Sequence, residues 1–138
     1  MSKQLVTFIM ILALIGCTGT NNCKKRSPDN DNGISPESKL FDFGQVSNSK
    51  IDSVSFSFTL NNKGDKDVII NDIDATCPCI VLSNKPKIIQ HNKCAIIRGR
   101  IGIKGGYGKQ NKAVFVNYND NNILLLRIVG EITNEAKN

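Results

Sequence analysis

Val54-Ser55-Phe56-Ser57-Phe58-Thr59-Leu60 alternates without a break. In an extended chain Val54, Phe56, Phe58 and Leu60 share one side, and Ser55, Ser57 and Thr59 share the other. A period of two, apolar on one face and hydroxyl on the other, predicts a β-strand with one side on a core and one in water. Asn61-Asn62-Lys63-Gly64-Asp65-Lys66 follows and supplies the residues that turn a chain.

Working outward, the same pattern returns. Val68-Ile69-Ile70 begins a strand that runs on towards Ile73 and Ala75. Ala95, Ile97, Gly99, Ile101 and Ile103 alternate with Ile96, Arg98, Arg100, Gly102 and Lys104, so the first set is expected to face inward. Gly99 and Gly102 mark a bulge, a sharp twist or close packing. Ala113 to Tyr118 and Ile123 to Ile132 read as a hairpin around Asn119-Asp120-Asn121-Asn122. Leu40-Phe41-Asp42-Phe43-Gly44-Gln45-Val46 adds a short opening strand, with Phe41 and Phe43 directed at the core. About seven short strands and no helical stripe predict an all-β fold, an immunoglobulin-like β-sandwich spanning residues 39–134, with a tail at 135–138. The chain contains no Trp, so the Cys-Trp-Cys core of antibody domains is absent. A closed barrel is the alternative, for which the domain is short.

The start of the chain is different in kind. Lys3 precedes an apolar run from Leu5 to Ile15, too short to serve as a membrane span. Leu14-Ile15-Gly16-Cys17 resembles a lipobox, which implies a signal peptide over residues 1–16, cleavage before Cys17 and lipid on its thiol. Several acyl chains on one residue anchor durably where one chain binds marginally. The stretch TGTNNCKKRSPDNDNGISPES after Cys17 is polar and aperiodic, so residues 17–38 are expected to form a lipidated tether. Thr18 carries no inner-membrane retention signal of the enterobacterial kind, which favours the outer membrane.

The formal net charge is +6, and Lys3 is the one charge that removal of residues 1–16 takes away. The excess is uneven. No Asp or Glu falls between Ala75 and Asn119, where Lys85, Lys87, Lys93, Arg98, Arg100, Lys104, Lys109 and Lys112 lie. Lys85, Lys87, Arg98, Arg100, Lys104, Lys109 and Lys112 form a candidate patch for an acidic partner, an envelope protein or a surface glycan. No nucleic-acid partner is expected, because an exported protein rarely meets one and the basic stretch lacks regular aromatic interleaving.

Cysteines are the one candidate chemistry. Besides Cys17 the chain holds Cys23, Cys77, Cys79 and Cys94. An oxidising compartment pairs exposed thiols, but spacing alone does not choose the pairs. A direct Cys77–Cys79 bridge closes a very small ring, so a bridge from one of them to Cys94 is favoured. The competing reading is a sulfur-rich metal site or thiol-handling site built from Cys77, Cys79 and Cys94, with His91 as a further ligand. No nucleophile elbow, P-loop or CxxC motif occurs, no cofactor is implied, and the chain is not expected to be an enzyme.

These segments also resemble a known family. Phe41-Asp42-Phe43-Gly44 is similar to an "FDFG" start, and Phe58-Thr59-Leu60-Asn61-Asn62-Lys63-Gly64-Asp65 to an "F-x-L-x-N-x-G-D" turn. Asp74-Ala75-Thr76-Cys77-Pro78-Cys79 is similar to an "S-C-G-C-T" segment, and Asn117 to Ile132 to a last hairpin ending in Gly-x-(Val/Ile). All four occur in the domain of unknown function 1573, a family common in lipoproteins of the Bacteroidetes. The resemblance implies a sandwich similar to those of periplasmic chaperones, cilia-associated proteins and the major sperm protein, and a binding or scaffolding role. It supplies no catalytic residues. Pro78 stands in place of the family's Gly, Ile80 in place of Thr, and His91-Asn92-Lys93 where Pro-Gly is preferred. The expectation is a noncatalytic envelope module, with the metal- or thiol-handling lipoprotein as the alternative.

Overall fold

A computed structural model describes residues 33–134. The signal segment, Cys17, Cys23 and the tail 135–138 lie outside the described residues. Nine strands follow one another: β1 (Ile34–Pro36), β2 (Leu40–Ser47), β3 (Ser53–Asn62), β4 (Val68–Ala75), β5 (Ile80–Asn84), β6 (Ile88–Ile89), β7 (Cys94–Gly102), β8 (Gly108–Tyr118) and β9 (Asn122–Thr133). They form two sheets, one ordered β1-β3-β7-β5 and the other β2-β9-β8-β4-β6. Every pairing is antiparallel except that of β2 with β9.

The alternating segment is β3, and it pairs with β7 residue by residue from Ser53 opposite Gly102 to Asn61 opposite Cys94. Phe56, Phe58, Leu60, Ile97 and Ile101 are buried between the sheets, as their parity predicts. The second sheet meets them with Val114, Val116, Leu124, Leu126 and Ile128, all buried. Phe41 of β2 closes one margin, its ring centroid 6.2 Å from Phe56 and 6.5 Å from Phe58. That is a core role, achieved by edge-to-face packing across the two sheets.

Nine strands stand where about seven were expected. The additional ones are short: β1, β5 and β6 hold five residues or fewer. So few residues leave no period to read. β1 falls in the stretch assigned to the tether, yet Ile34 is only 1% exposed and belongs to the core. The β6–β7 turn shows why His91-Asn92-Lys93 can replace Pro-Gly. Asn92 takes a φ of +56°, a conformation that Asn tolerates.

Gly99 serves close packing. A Cβ there would lie 2.6 Å from Phe56 Cζ and 2.8 Å from the Val81 carbonyl oxygen. Asn62 is 2% exposed, and its side chain clamps the turn after β3. Its Nδ2 donates to the carbonyls of Lys66 and Ile89, both at 2.8 Å. Its Oδ1 accepts from the Gly64 amide at 3.0 Å. The Asn of the N-x-G-D motif is therefore a buried bracket between the turn and β6.

Two stability changes follow. Gly99→Ala overpacks the β3–β7–β5 contact and is expected to cost about 1–3 kcal/mol. Asn62→Ala strands two carbonyls and an amide and is expected to cost about 1–3 kcal/mol. Urea unfolding with an unchanged slope, read as a shift of midpoint, measures both.

Candidate functional site

The four-stranded sheet has an outer face made by the other parity of the same strands. Ser55 and Ser57 of β3 lie directly opposite Arg100 and Arg98 of β7. On the far side Val81 and Asn84 of β5 pair with Arg100 and Arg98. All six are exposed. Neither β1, β3, β5 nor β7 contains an Asp or Glu, and the two arginines are the sheet's only charges. Two residues apart on one strand, their Cα atoms are separated by roughly 6.6 Å. The Asn84 side chain is tied to β7 through its Nδ2, which donates to the Ile96 carbonyl. Such a face offers two planar guanidinium forks, flanking hydroxyls and an exposed aliphatic side chain. It suits carboxylates or sulfates spaced along a polymer or protein surface.

The rest of the basic patch does not gather there. Lys104 lies 4.0 Å from Asp52, beyond the end of β7. Lys85 lies 3.9 Å from Asp72. Lys109 and Lys112 are on β8, in the other sheet, opposite Glu131 and Ile128. Lys87 follows β5, and its carbonyl accepts from the Ile70 amide. The run of basic residues in sequence is thus divided between two sheets and their connections.

The cysteines are rearranged too. Cys77 pairs with Cys79 directly, with their Cα atoms 5.1 Å apart, so the favoured bridge to Cys94 does not form. The length of β7 explains the correction. The Gly102 amide, at its end, donates to the Cys79 carbonyl at 2.7 Å, whereas Cys94 is its first residue. Eight residues of strand separate the two ends by roughly 26 Å. Cys94 is itself disulfide-bonded. His91 is held at Cys94's end, its Nδ1 on the Gly64 carbonyl and its amide donating to Asp67 at 2.8 Å. The proposed metal constellation is therefore pulled apart, and among the described residues no group of three His, Cys, Asp or Glu side chains is placed to hold a metal ion.

Beside the Cys77–Cys79 bridge lies a cavity of about 520 Å³ floored by Ile73, Ile80 and Leu82, with Asp74 and Lys85 at its rim. A register shift between Ile70 and Asp72 places Asp72 and Asp74 together on the surface of β4. The hydrogen bond from Asp74 holds the Asp72 carboxyl below its ordinary range, helped by the Ile73 amide and the Lys85 ammonium. The same hydrogen bond and the charge on Asp72 push Asp74 up.

A family model described as "Protein of unknown function (DUF1573)" matches residues 34–132. The chain belongs to the DUF1573 family. None of the curated proteins matches this DUF1573 chain by sequence. Its fold is similar to that of a protein of unknown function from Porphyromonas gingivalis W83, at 13% identity and a TM-score of 0.62. That likeness covers 72% of this chain and 46% of the other, so this chain spans less than half of that protein. A PapD-like domain of human CEP192 is similar at 11% identity and a TM-score of 0.58, over 88% of this chain and 99% of that one. The secreted serine protease VesC of Vibrio cholerae is similar at 12% identity and a TM-score of 0.60, over 76% of this chain but only 24% of the protease. At such identities the shared property is the fold.

Val81 and Asn84 are the residues of the outer face that the sequence did not expose, because five residues of β5 carry no clear alternation. Their one signal is position, two and five residues after Cys79. For the acidic pair, carboxyl resonances followed by NMR should show Asp72 ionising first and Asp74 above the usual carboxylate range. Asp72→Ala should return Asp74 towards its ordinary value, and a shift that persists would remove the coupling from the account.

Proposed function

We propose that this DUF1573 chain is a noncatalytic binding module of the bacterial cell envelope. An immunoglobulin-like sandwich is held at the outer membrane by lipid on Cys17. It docks an acidic partner, an envelope protein or a surface glycan, on the outer face of β3, β7 and β5.

One observation carries this reading. A whole sheet lacks carboxylates and presents Arg98 and Arg100 as its only charges, bracketed by Ser55, Ser57, Val81 and Asn84. Among the described residues neither arginine is placed in an ion pair, and a guanidinium suits bidentate acceptors. The lipobox Leu14-Ile15-Gly16-Cys17 supports the anchor and the compartment. The family resemblance and the PapD-like fold support a role without chemistry.

Capture of envelope material by the immobilised mature chain tests the face. Arg98→Glu/Arg100→Glu is expected to abolish specific capture, and rising salt to weaken it in the parent. Lys109→Glu/Lys112→Glu makes the same charge change on the other sheet and should leave capture intact. Equal capture by the parent and the arginine double variant removes this face from the account.

A further inference from the structure

We propose that the free edge of β5 takes a strand from a protein partner, an extended segment in which aliphatic and acidic residues alternate. The acidic part of that description rests on the arginine-face reading above. The edge and the cavity beside it stand on geometry of their own.

Among the described residues β5 is the last strand of its sheet, so its ladder to β7 uses one side of its backbone. The register fixes which groups point the other way. The Gly102 amide donates to the Cys79 carbonyl, and from there Ile80 lies opposite Ile101, Val81 opposite Arg100 and Leu82 opposite Gly99. Hydrogen-bonded and non-hydrogen-bonded pairs alternate along an antiparallel ladder. Cys79 and Val81 therefore bond to β7, whereas the Ile80 carbonyl and the Leu82 amide and carbonyl are directed away from it. The Ile80 amide turns back onto the Cys77 carbonyl at 3.0 Å. Ile80–Asn84 contains no Pro and no charged residue, the usual guards of an open edge. Such a row of backbone groups is a template for another strand.

The facing edge, on β4, is guarded. The pairing of β6 with β4 covers Val68 and Ile69, and the Ile70 amide donates to the Lys87 carbonyl. Residues 71–75 lie beyond that cover. There the Ile73 amide donates to the Asp72 carboxylate at 2.8 Å, and Asp72 and Asp74 are both exposed. Two carboxylates turn an acidic segment away from β4 and leave it the edge of β5.

Strand parity supplies the rest. An added strand continues the sheet, so its side chains fall into the rows of β5. The inward ones lie beside Ile80 and Leu82 and cover the cavity of about 520 Å³ that these residues floor with Ile73. The outward ones extend the rows Ser55–Arg100–Val81 and Ser57–Arg98–Asn84. They stand two strand spacings, roughly 10 Å, from the arginine Cα atoms, a gap that a Glu and an Arg side chain close together. Aliphatic residues inward and acidic residues outward thus answer both faces of the edge. A second copy of this chain fits less well. Pairing β5 with β5 would bring the arginines of both copies to one outer face, to which neither β5 nor β7 contributes a carboxylate.

The test uses the full chain, purified in detergent, and a fluorescent end-capped heptapeptide of alternating Glu and Val. Anisotropy should show saturable binding, and hydrogen exchange followed by NMR should show the Leu82 amide protected in the complex. N-methylation of one alternate set of peptide nitrogens should abolish binding, and of the other set should leave it, as a ladder requires. Leu82→Ser and Arg98→Glu/Arg100→Glu should each weaken binding at least tenfold, and a Lys–Val peptide should not bind the parent. Binding that is lost in the arginine variant but indifferent to N-methylation and to Leu82→Ser overturns strand addition and leaves the arginine face standing. Leu82 protection with equal binding of the Glu–Val and Lys–Val peptides supports the edge and overturns the arginine-face reading. Leu82 protection that grows with protein concentration in the absence of peptide assigns the edge to a second copy and overturns the proposal, as does a Glu–Val peptide that fails to bind.

Discussion

The unbroken pairing of β3 with β7 decides which side chains meet the core and which meet the solvent. Nine consecutive residues are matched, from Ser53 with Gly102 to Asn61 with Cys94. Because side chains alternate strictly along a strand, a slip of one residue would exchange the faces of one strand relative to the other. Phe56, Phe58 and Leu60 would lose their places against Val114, Val116 and Leu126, and the arginines would turn inward. Gly99 pins the register from within, since only a missing side chain lets the Phe56 ring and the β5 backbone come so close. Burial of large aromatic and aliphatic groups on one parity thus fixes the polar face on the other.

The same constraint explains what was legible beforehand. β3, β7 and β9 are long and alternate cleanly, so their inward residues could be named from sequence, and Leu124, Leu126, Ile128 and Ile132 are all buried. β1, β5 and β6 were not legible, because strands of two to five residues owe their existence to a neighbour's unpaired edge rather than to their own pattern. Ile34 was lost among the polar residues of the tether for that reason. The Asn62 bracket was visible only as a motif. Its physical content, three hydrogen bonds in a buried turn, comes from the packing of β6 beside β4.

The candidate site was half legible. Arg98 and Arg100 were in the expected patch, and strand parity alone makes them neighbours. Their separation from Lys109 and Lys112 was not readable, because it depends on the chain crossing from one sheet to the other between β7 and β8. The cysteines failed for a similar reason. Closeness in sequence made Cys94 a natural partner for Cys77 or Cys79, but the intervening residues run along β5 from the Gly102 end of β7 to its Cys94 end. A straight strand keeps its two ends apart however short the connecting loops are. Cys94 instead shares its row with Asn61 and Ser35, at the opposite end of β7 from the Cys77–Cys79 bridge.

The most direct test of the binding face is site-specific photo-crosslinking in the intact envelope. A photoreactive residue replaces Ser57, beside Arg98 on the outer face, or Asn111, on the outer face of the opposite sheet. The account predicts a discrete adduct from position 57 that disappears with Arg98→Glu, and none from position 111. An adduct from position 111 alone, or one from position 57 that is indifferent to Arg98→Glu, would contradict it.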